Sequence, residues 1–316
     1  MQIQAQTFKN LCNIIEENIN RVMIGKQNVI EFLLIALSAG GHVLIEDVPG
    51  IGKTTLVSAL AKSLNLTFKR IQFTPDLMPS DVTGFSLFNQ KTGEFEFQPG
   101  AVMSQIVLAD EINRTSPKTQ SALLEVMQEN QVTVDGVTYK IPQPFIVLAT
   151  QNPVDHVGTY PLPEAQLDRF MLKIDLGYPT IEEEVAILNL YSSDQPLQQL
   201  QKVADSDDVL WMREQALHVH CANSVKRYIA ELTAATRRHP DVSLGASPRA
   251  SNMLMQAAKS RALIKGRDYV RPDDVQALVI PVLSHRITLT SESRLKRITN
   301  DDVIYSVLKQ IPVPER

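Results

Sequence analysis

The stretch Asp47-Val48-Pro49-Gly50-Ile51-Gly52-Lys53-Thr54 decides how this 316-residue chain is read. It follows a short apolar run, His42-Val43-Leu44-Ile45, and precedes Leu56 to Leu64, whose apolar residues recur at helical spacing. Strand, glycine turn and helix in that order make an anion cradle. Successive N–H groups face inward, and the helix N-terminus favours negative charge. The phosphate-loop pattern G-x-x-x-x-G-K-[ST] is matched except at its first position, where Asp47 stands. That departure leaves the turn around Gly50 and Gly52 intact. Pro49, Gly50, Ile51, Gly52, Lys53, Thr54 and Thr55 are the candidate nucleotide-binding residues. Lys53 is expected to reach the β- and γ-phosphates, and Thr54 to ligate Mg²⁺.

Further along, Ile106-Val107-Leu108-Ala109-Asp110-Glu111 is an apolar strand ending in two acids. Carboxylates at the tip of a buried strand call for a cation or a reaction. Asp110 suits the Mg²⁺ shell, through water, and Glu111 suits polarising an attacking water. With the phosphate loop upstream, the pair points to Mg-ATP hydrolysis; the N-K-x-D motif of a GTPase is absent. Leu66 to Phe73, Phe145 to Thr150 and Phe170 to Leu176 are further strand candidates. Phe8 to Val22, Asn28 to Ala39 and Pro117 to Asn130 are helix candidates, the last with Ser116 as N-cap and Pro117 opening the helix. The alternation predicts an α/β fold whose parallel five-stranded sheet is flanked by helices.

The pattern changes at Gly177-Tyr178-Pro179-Thr180. Thr180 and Glu183 fit a capping box for a helix running to about Tyr191. Residues from about 192 to 208 are polar and glutamine-rich and read as a linker. Beyond them the periodicity is helical, over Val209 to Val219, Ser224 to Arg238, Pro248 to Lys265, Pro272 to Leu283 and Asp301 to Gln310. Two units are predicted: residues 1–178, net −5, and an all-α unit over 179–316, net +1.

Composition narrows the function. Apolar residues at 44% and charged residues at 21% exclude a disordered or fibrous chain. Two cysteines, Cys12 and Cys221, exclude a disulfide framework and favour a reducing compartment. The longest apolar stretch, Val29 to Ala39, is too short to span a bilayer, and Met1 to Asn10 does not read as a signal peptide. A cytoplasmic location without membrane insertion is expected. The mildly acidic balance gives no sign of nucleic-acid binding.

Several motifs carry a family resemblance. Phe145-Ile146-Val147-Leu148-Ala149-Thr150-Gln151-Asn152-Pro153 resembles the sensor-1 strand of an AAA+ ATPase, with Asn152 as the sensor. Leu162-Pro163-Glu164-Ala165-Gln166-Leu167-Asp168-Arg169-Phe170 resembles the arginine-finger segment. Gly245-Ala246-Ser247-Pro248-Arg249-Ala250 resembles the start of the sensor-2 helix, with Arg249 as the sensor. With Asp110-Glu111-Ile112-Asn113-Arg114 and Ser121-Ala122-Leu123-Leu124-Glu125, the match is to the MoxR family of AAA+ ATPases, over roughly residues 20–285. The resemblance implies an AAA+ core followed by a helical lid. It implies that Asn152 orients the water, that Arg169 acts on a neighbour's ATP, and that Arg249 touches the phosphates of its own chain. It leaves the role of Arg114 open.

The resemblance also implies a homo-oligomeric ring, expected to be a hexamer, and a chaperone-like role in maturing or activating protein complexes. Proteins with von Willebrand factor A domains are its typical partners. Asn89-Gln90-Lys91-Thr92-Gly93 between apolar flanks (Leu87 to Phe97) and Asp135-Gly136 within Val132 to Tyr139 signal two hairpins. They fall where this clade carries insertions that face a pore or a partner. A DNA-directed motor and a slow nucleotide switch are the rival readings. The first predicts DNA-stimulated turnover, the second nucleotide-dependent partner affinity with negligible turnover.

Overall fold

The structure is a computed structural model and describes residues 2–46, 48, 50–152, 158–193 and 196–314. Helices α1 (Gln2–Asn20) and α2 (Gln27–Ala39) precede β1 (Val43–Glu46) and α3 (Lys53–Ser63). Next come β2 (Phe68–Gln72), α4 (Pro79–Thr83), β3 (Gly84–Asn89), β4 (Glu94–Pro99), β5 (Ile106–Asp110) and α5 (Pro117–Glu129). They are followed by β6 (Gln131–Val134), β7 (Val137–Lys140), β8 (Ile146–Gln151), α6 (Glu164–Leu167) and β9 (Leu172–Ile174). The C-terminal part holds α7 (Ile181–Ser193), α8 (Pro196–Gln199), α9 (Ser206–His218), α10 (Asn223–Thr236), β10 (Val242–Leu244) and α11 (Pro248–Ile264). It ends with α12 (Pro272–Leu283), β11 (Thr288–Leu289), α13 (Ser291–Leu295) and α14 (Asn300–Gln310).

The five expected strands form one sheet in the order β2-β5-β8-β1-β9, every neighbouring pair parallel. Strand residues alternate between two cores, because successive side chains leave a strand on opposite faces. In β5, Ile106 and Leu108 enter one apolar cluster while Val107 and Ala109 enter the other. Both faces are therefore covered, as the continuous apolar runs require. Helices α1, α2 and α3 cover the first face together with the C-terminal helices; α5 covers the second. Buried His42 ties the layers: Val147 N–H donates to its Nδ1 (3.0 Å), and its Nε2 lies 3.0 Å from the Met127 carbonyl. Burial pushes this imidazole down to about 4, so it is neutral and donates from Nε2.

The local signals appear as built features. Ser116 caps α5, accepting from the Thr119 N–H. The Thr180–Glu183 box closes reciprocally, Thr180 N–H to Glu183 (2.8 Å) and Glu183 N–H to Thr180 (3.2 Å). Asp135 and Gly136 both take positive φ, 49° and 81°, as a two-residue hairpin turn between β6 and β7 demands. The other hairpin, β3–β4, is longer than the signal suggested and extends from Gly84 to Pro99. Phe97 stacks on Tyr139 at 3.9 Å and so joins the two hairpins, while Phe88 and Phe95 pair at 5.3 Å and stay exposed.

Two readings need correction. The stretch taken as a polar linker contains α8 and is strapped to the body. Leu200 and Ala204 are buried, Val203 and Ala204 N–H donate to the Ser63 carbonyl (2.8 and 3.1 Å), and Asn18 Nδ2 donates to the Gln201 carbonyl (3.0 Å). Gln198, Gln199, Gln201 and Asp207 are exposed, Asp205 and Asp208 form the capping box of α9, and the backbone with Leu200 and Ala204 does the docking. The helical part is also not purely α: β10 and β11 pair antiparallel, a ribbon too short to leave a periodicity.

Candidate nucleotide site

The site lies at the carboxyl ends of the central strands. After β1 the chain crosses to β2 at the far edge and returns through β5 and β8, which places β8 beside β1. Open α/β sheets bind ligands at such a reversal. Here a cleft of about 360 Å³ opens, lined by Gly50, Gly52, Lys53, Thr54 and Thr55 from the loop and the start of α3. Arg70 and Gln72 of β2, Asp110 and Glu111 at the end of β5, and Thr150 and Asn152 from β8 and its end complete it.

The glycines of the loop are there for backbone conformation. Gly50 and Gly52 have φ of 86° and 92°, and Gly52 caps α3. A Cβ at Gly50 would meet nothing within 4 Å and one at Gly52 only the Met23 methyl at 3.7 Å. The left-handed turn, not crowding, selects glycine. It brings Lys53 and Thr54 onto the first turn of α3, at the positive end of the helix dipole. Ile51 does not line the cleft; it packs half-buried against the core. Pro49 and Asp47 lie outside the described residues.

The two acids are held differently. Asp110 Oδ1 accepts from Thr150 Oγ1 (2.6 Å), and Oδ2 accepts from Arg70 Nη2 (2.6 Å) and Nε (3.1 Å). Glu111 sits in the left-handed region, φ 57° and ψ 49°, which costs a non-glycine residue about 1 kcal/mol or more. Its N–H donates to Thr150 Oγ1 (2.8 Å), and its carboxylate accepts from Gln72 Nε2 (2.8 Å) and faces Arg114 Nε at 3.5 Å. Backbone strain at this residue turns the second carboxylate away from the strand and into the cleft. A hydroxyl (Thr54) and a carboxylate (Asp110) lining the same cleft are hard oxygen donors suited to Mg²⁺.

Arg70, Gln72 and Thr150 are site residues that the sequence reading did not single out. The signal was present for two of them. In Phe68-Lys69-Arg70-Ile71-Gln72 the period-2 alternation puts Arg70 and Gln72 on one side, and parallel register sets Gln72 beside Asp110.

Arg169 and Arg249 do not line this cleft. Arg169 is half-buried after α6, and Arg249 is exposed at the start of α11. The segment that carries Arg169 and the start of the helix that bears Arg249 meet in a second cluster. Asp168 accepts from Arg286 Nε (2.9 Å) and from Ser247 Oγ (3.1 Å), the residue that caps α11. Burial pushes the Arg286 guanidinium down to about 10; Asp168 opposes that, and the nearby charge of Arg249 adds to it.

Comparison with known proteins agrees with this geometry. A family model described as ATPase family associated with various cellular activities matches residues 42–172, and an AAA lid domain model matches residues 234–307. The protein YeaC of Bacillus subtilis is 53% identical over 298 residues, covering 94% of this chain and 93% of its own length. Chaperone MoxR1 of Mycobacterium tuberculosis is 42% identical over 306 residues, covering 94% and 81%. The crystal structure of an ATPase candidate from Cytophaga hutchinsonii superposes with a TM-score of 0.93 at 42% identity, covering 99% of this chain and 97% of that one. With the same core, the same lid and relatives this similar over nearly their full length, the chain belongs to the MoxR family of AAA+ ATPases.

Proposed function

We propose that this chain hydrolyses ATP with Mg²⁺ and uses the turnover to remodel protein complexes in a chaperone-like role. The observation that carries the reading is the convergence of Lys53, Thr54, Asp110 and Glu111 in one cleft at the carboxyl ends of the sheet. Lys53 and the loop N–H groups bind the β- and γ-phosphates. Thr54 and Asp110 would hold Mg²⁺, which would supply neutralisation of charge on the phosphate oxygens. Glu111, aimed by its left-handed backbone and steadied by Gln72, polarises the attacking water. Asn152, at the end of the strand next to β5, orients that water against the γ-phosphate.

Arg169, beside Asp168 in the cluster held by Arg286, acts on a neighbour's nucleotide in a ring, expected to be a hexamer, and Arg249 on the phosphates of its own chain. We assign residues 1–178 to the nucleotide-binding core and 179–316 to the lid. The exposed Phe85, Leu87, Phe88 and Phe95 of the β3–β4 hairpin are the surface assigned to the client or to the ring pore. A von Willebrand factor A domain protein is the expected partner, and the cytoplasm the expected location. No helix among the described residues is long and apolar enough to cross a membrane.

Glu111→Gln tests the chemistry. The variant should bind ATP with parent affinity while steady-state phosphate release falls at least about a hundredfold, the scale of a positioned base. Turnover near the parent rate removes Glu111 from the mechanism. Arg169→Ala mixed with Glu111→Gln should recover part of the activity, since each supplies what the other lacks at one shared site. An inactive mixture argues against Arg169 acting between chains.

A further inference from the structure

Arg169 has a neighbour on each side that the C-terminal helices hold. Before it, the Asp168 carboxylate accepts from Arg286 Nε (2.9 Å) and Ser247 Oγ (3.1 Å). After it, the Phe170 carbonyl accepts from His285 Nε2 (3.0 Å) and from Arg286 Nη2, and the Met171 carbonyl accepts from Arg286 Nη1 (3.3 Å). Arg286 Nη2 also reaches the Asp168 carbonyl at 3.3 Å. The Arg286 side chain is 1% exposed. A guanidinium buried that deeply is tolerated only with its donors engaged; most of these bonds go to residues 168–171, and the others to the Val282 carbonyl and Met253 Sδ. Such an array is fixed in geometry: a planar fork on a carboxylate and three carbonyls of one segment has one arrangement, and a shift of about an ångström breaks it. Ser247 caps the helix that bears Arg249, so both arginines are referred to the same lid elements.

We propose that His285 and Arg286 are positioning residues for Arg169, locking its segment to the lid so that a chain presents Arg169 to its neighbour only while its own lid is docked on this segment. The inference rests on the reading of Arg169 as a residue that acts on a neighbouring chain's ATP. It assigns to the lid a second task besides bearing Arg249: setting the competence of the adjacent site.

The test uses the full chain and measures ATP turnover and the binding of a fluorescent ATP analogue separately. Arg286→Met and His285→Leu are each made alone and together with Arg169→Ala; His285→Gln is the conservative variant. Arg286→Met and His285→Leu should lower kcat about tenfold or more, a fraction of what a complete arginine finger supplies. Nucleotide affinity should stay at the parent value. Neither change should lower kcat further in the Arg169→Ala background, because groups acting as one unit are not additive. His285→Gln should recover most of the rate, since its amide can still donate to the Phe170 carbonyl. Where Arg286→Met fails to fold, the two His285 variants decide alone. Additive losses, a parallel fall in nucleotide affinity, or a Gln variant as poor as Leu overturn the proposal and leave a purely structural role. A defective Arg169→Ala beside full-rate His285→Leu and Arg286→Met overturns the proposal alone. Full turnover in Arg169→Ala overturns the Arg169 reading and the proposal with it.

Discussion

Arg70 is the residue that neutralises Asp110 in this structure, and it does so from a half-exposed position. A cation entering beside Thr54 must share or displace that guanidinium. Arg70→Ala should therefore strengthen nucleotide-free Mn²⁺ binding, followed by electron paramagnetic resonance, by no more than about fivefold, because a solvent-screened pair is worth at most about 1 kcal/mol. Unchanged or weaker binding would show that Arg70 does not compete for Asp110. His42 gives a prediction of a different kind. Its folded pKa of about 4 lies below the ordinary histidine value, so the unfolded chain binds the proton more readily. The stability it contributes is complete above about pH 6.5 and is lost as pH falls from there toward 4. The loss is on the order of 3 kcal/mol. Thermal melts of the parent should fall steeply across that window, and those of His42→Gln should fall less; equal slopes would remove His42 as the source. At this scale the loop residues and the acid pair were legible, because their chemistry is written in adjacent positions. Arg70 and Gln72 were half legible, since alternation puts them on one side of β2, but only strand pairing brings them and Thr150 to the acid pair.

Elements show the same division. The turn at Asp135-Gly136, the cap at Ser116 and the box at Thr180 and Glu183 were legible because capping and turn formation involve residues within a few positions of each other. The docked stretch before α9 was not, because side-chain polarity does not report where peptide groups bond. Nor was the carboxylate that holds α12 to the end of α11. Asp274 is fully buried and accepts from Arg261 Nη1 (2.8 Å), from Arg267 Nη1 and Nη2 (2.7 Å each) and from the Arg271 N–H (2.8 Å). Asp274→Ala leaves two partly buried guanidinium groups without their acceptor. Urea denaturation should register a loss of about 3–5 kcal/mol, the cost of breaking a buried pair from one side. A loss under about 1 kcal/mol would mean that water replaces the carboxylate at little cost.

Across the whole molecule, the larger apolar cluster runs without a break from α1, α2 and one face of the sheet into α9–α12. Trp211 of α9 sits 6.1 Å from Phe8 of α1, so the single tryptophan reports on the joint between the N-terminal helices and the C-terminal part. A shared core predicts one cooperative transition. Tryptophan fluorescence and far-ultraviolet circular dichroism should give the same urea midpoint; separated midpoints would mean that the two parts unfold independently.

The α/β alternation, the phosphate loop and the paired acids were legible in residue order alone, because each is a pattern of neighbouring residues with one physical reading. Which cation faces Asp110, that the start of the Arg249 helix meets the Arg169 segment, and that the lid grips that segment through Arg286 came only from the folded chain. Those contacts join residues 40 positions apart for Arg70 and Asp110 and 118 apart for Asp168 and Arg286. No local periodicity carries such a pairing. It follows from strand order and from which helices close over the core.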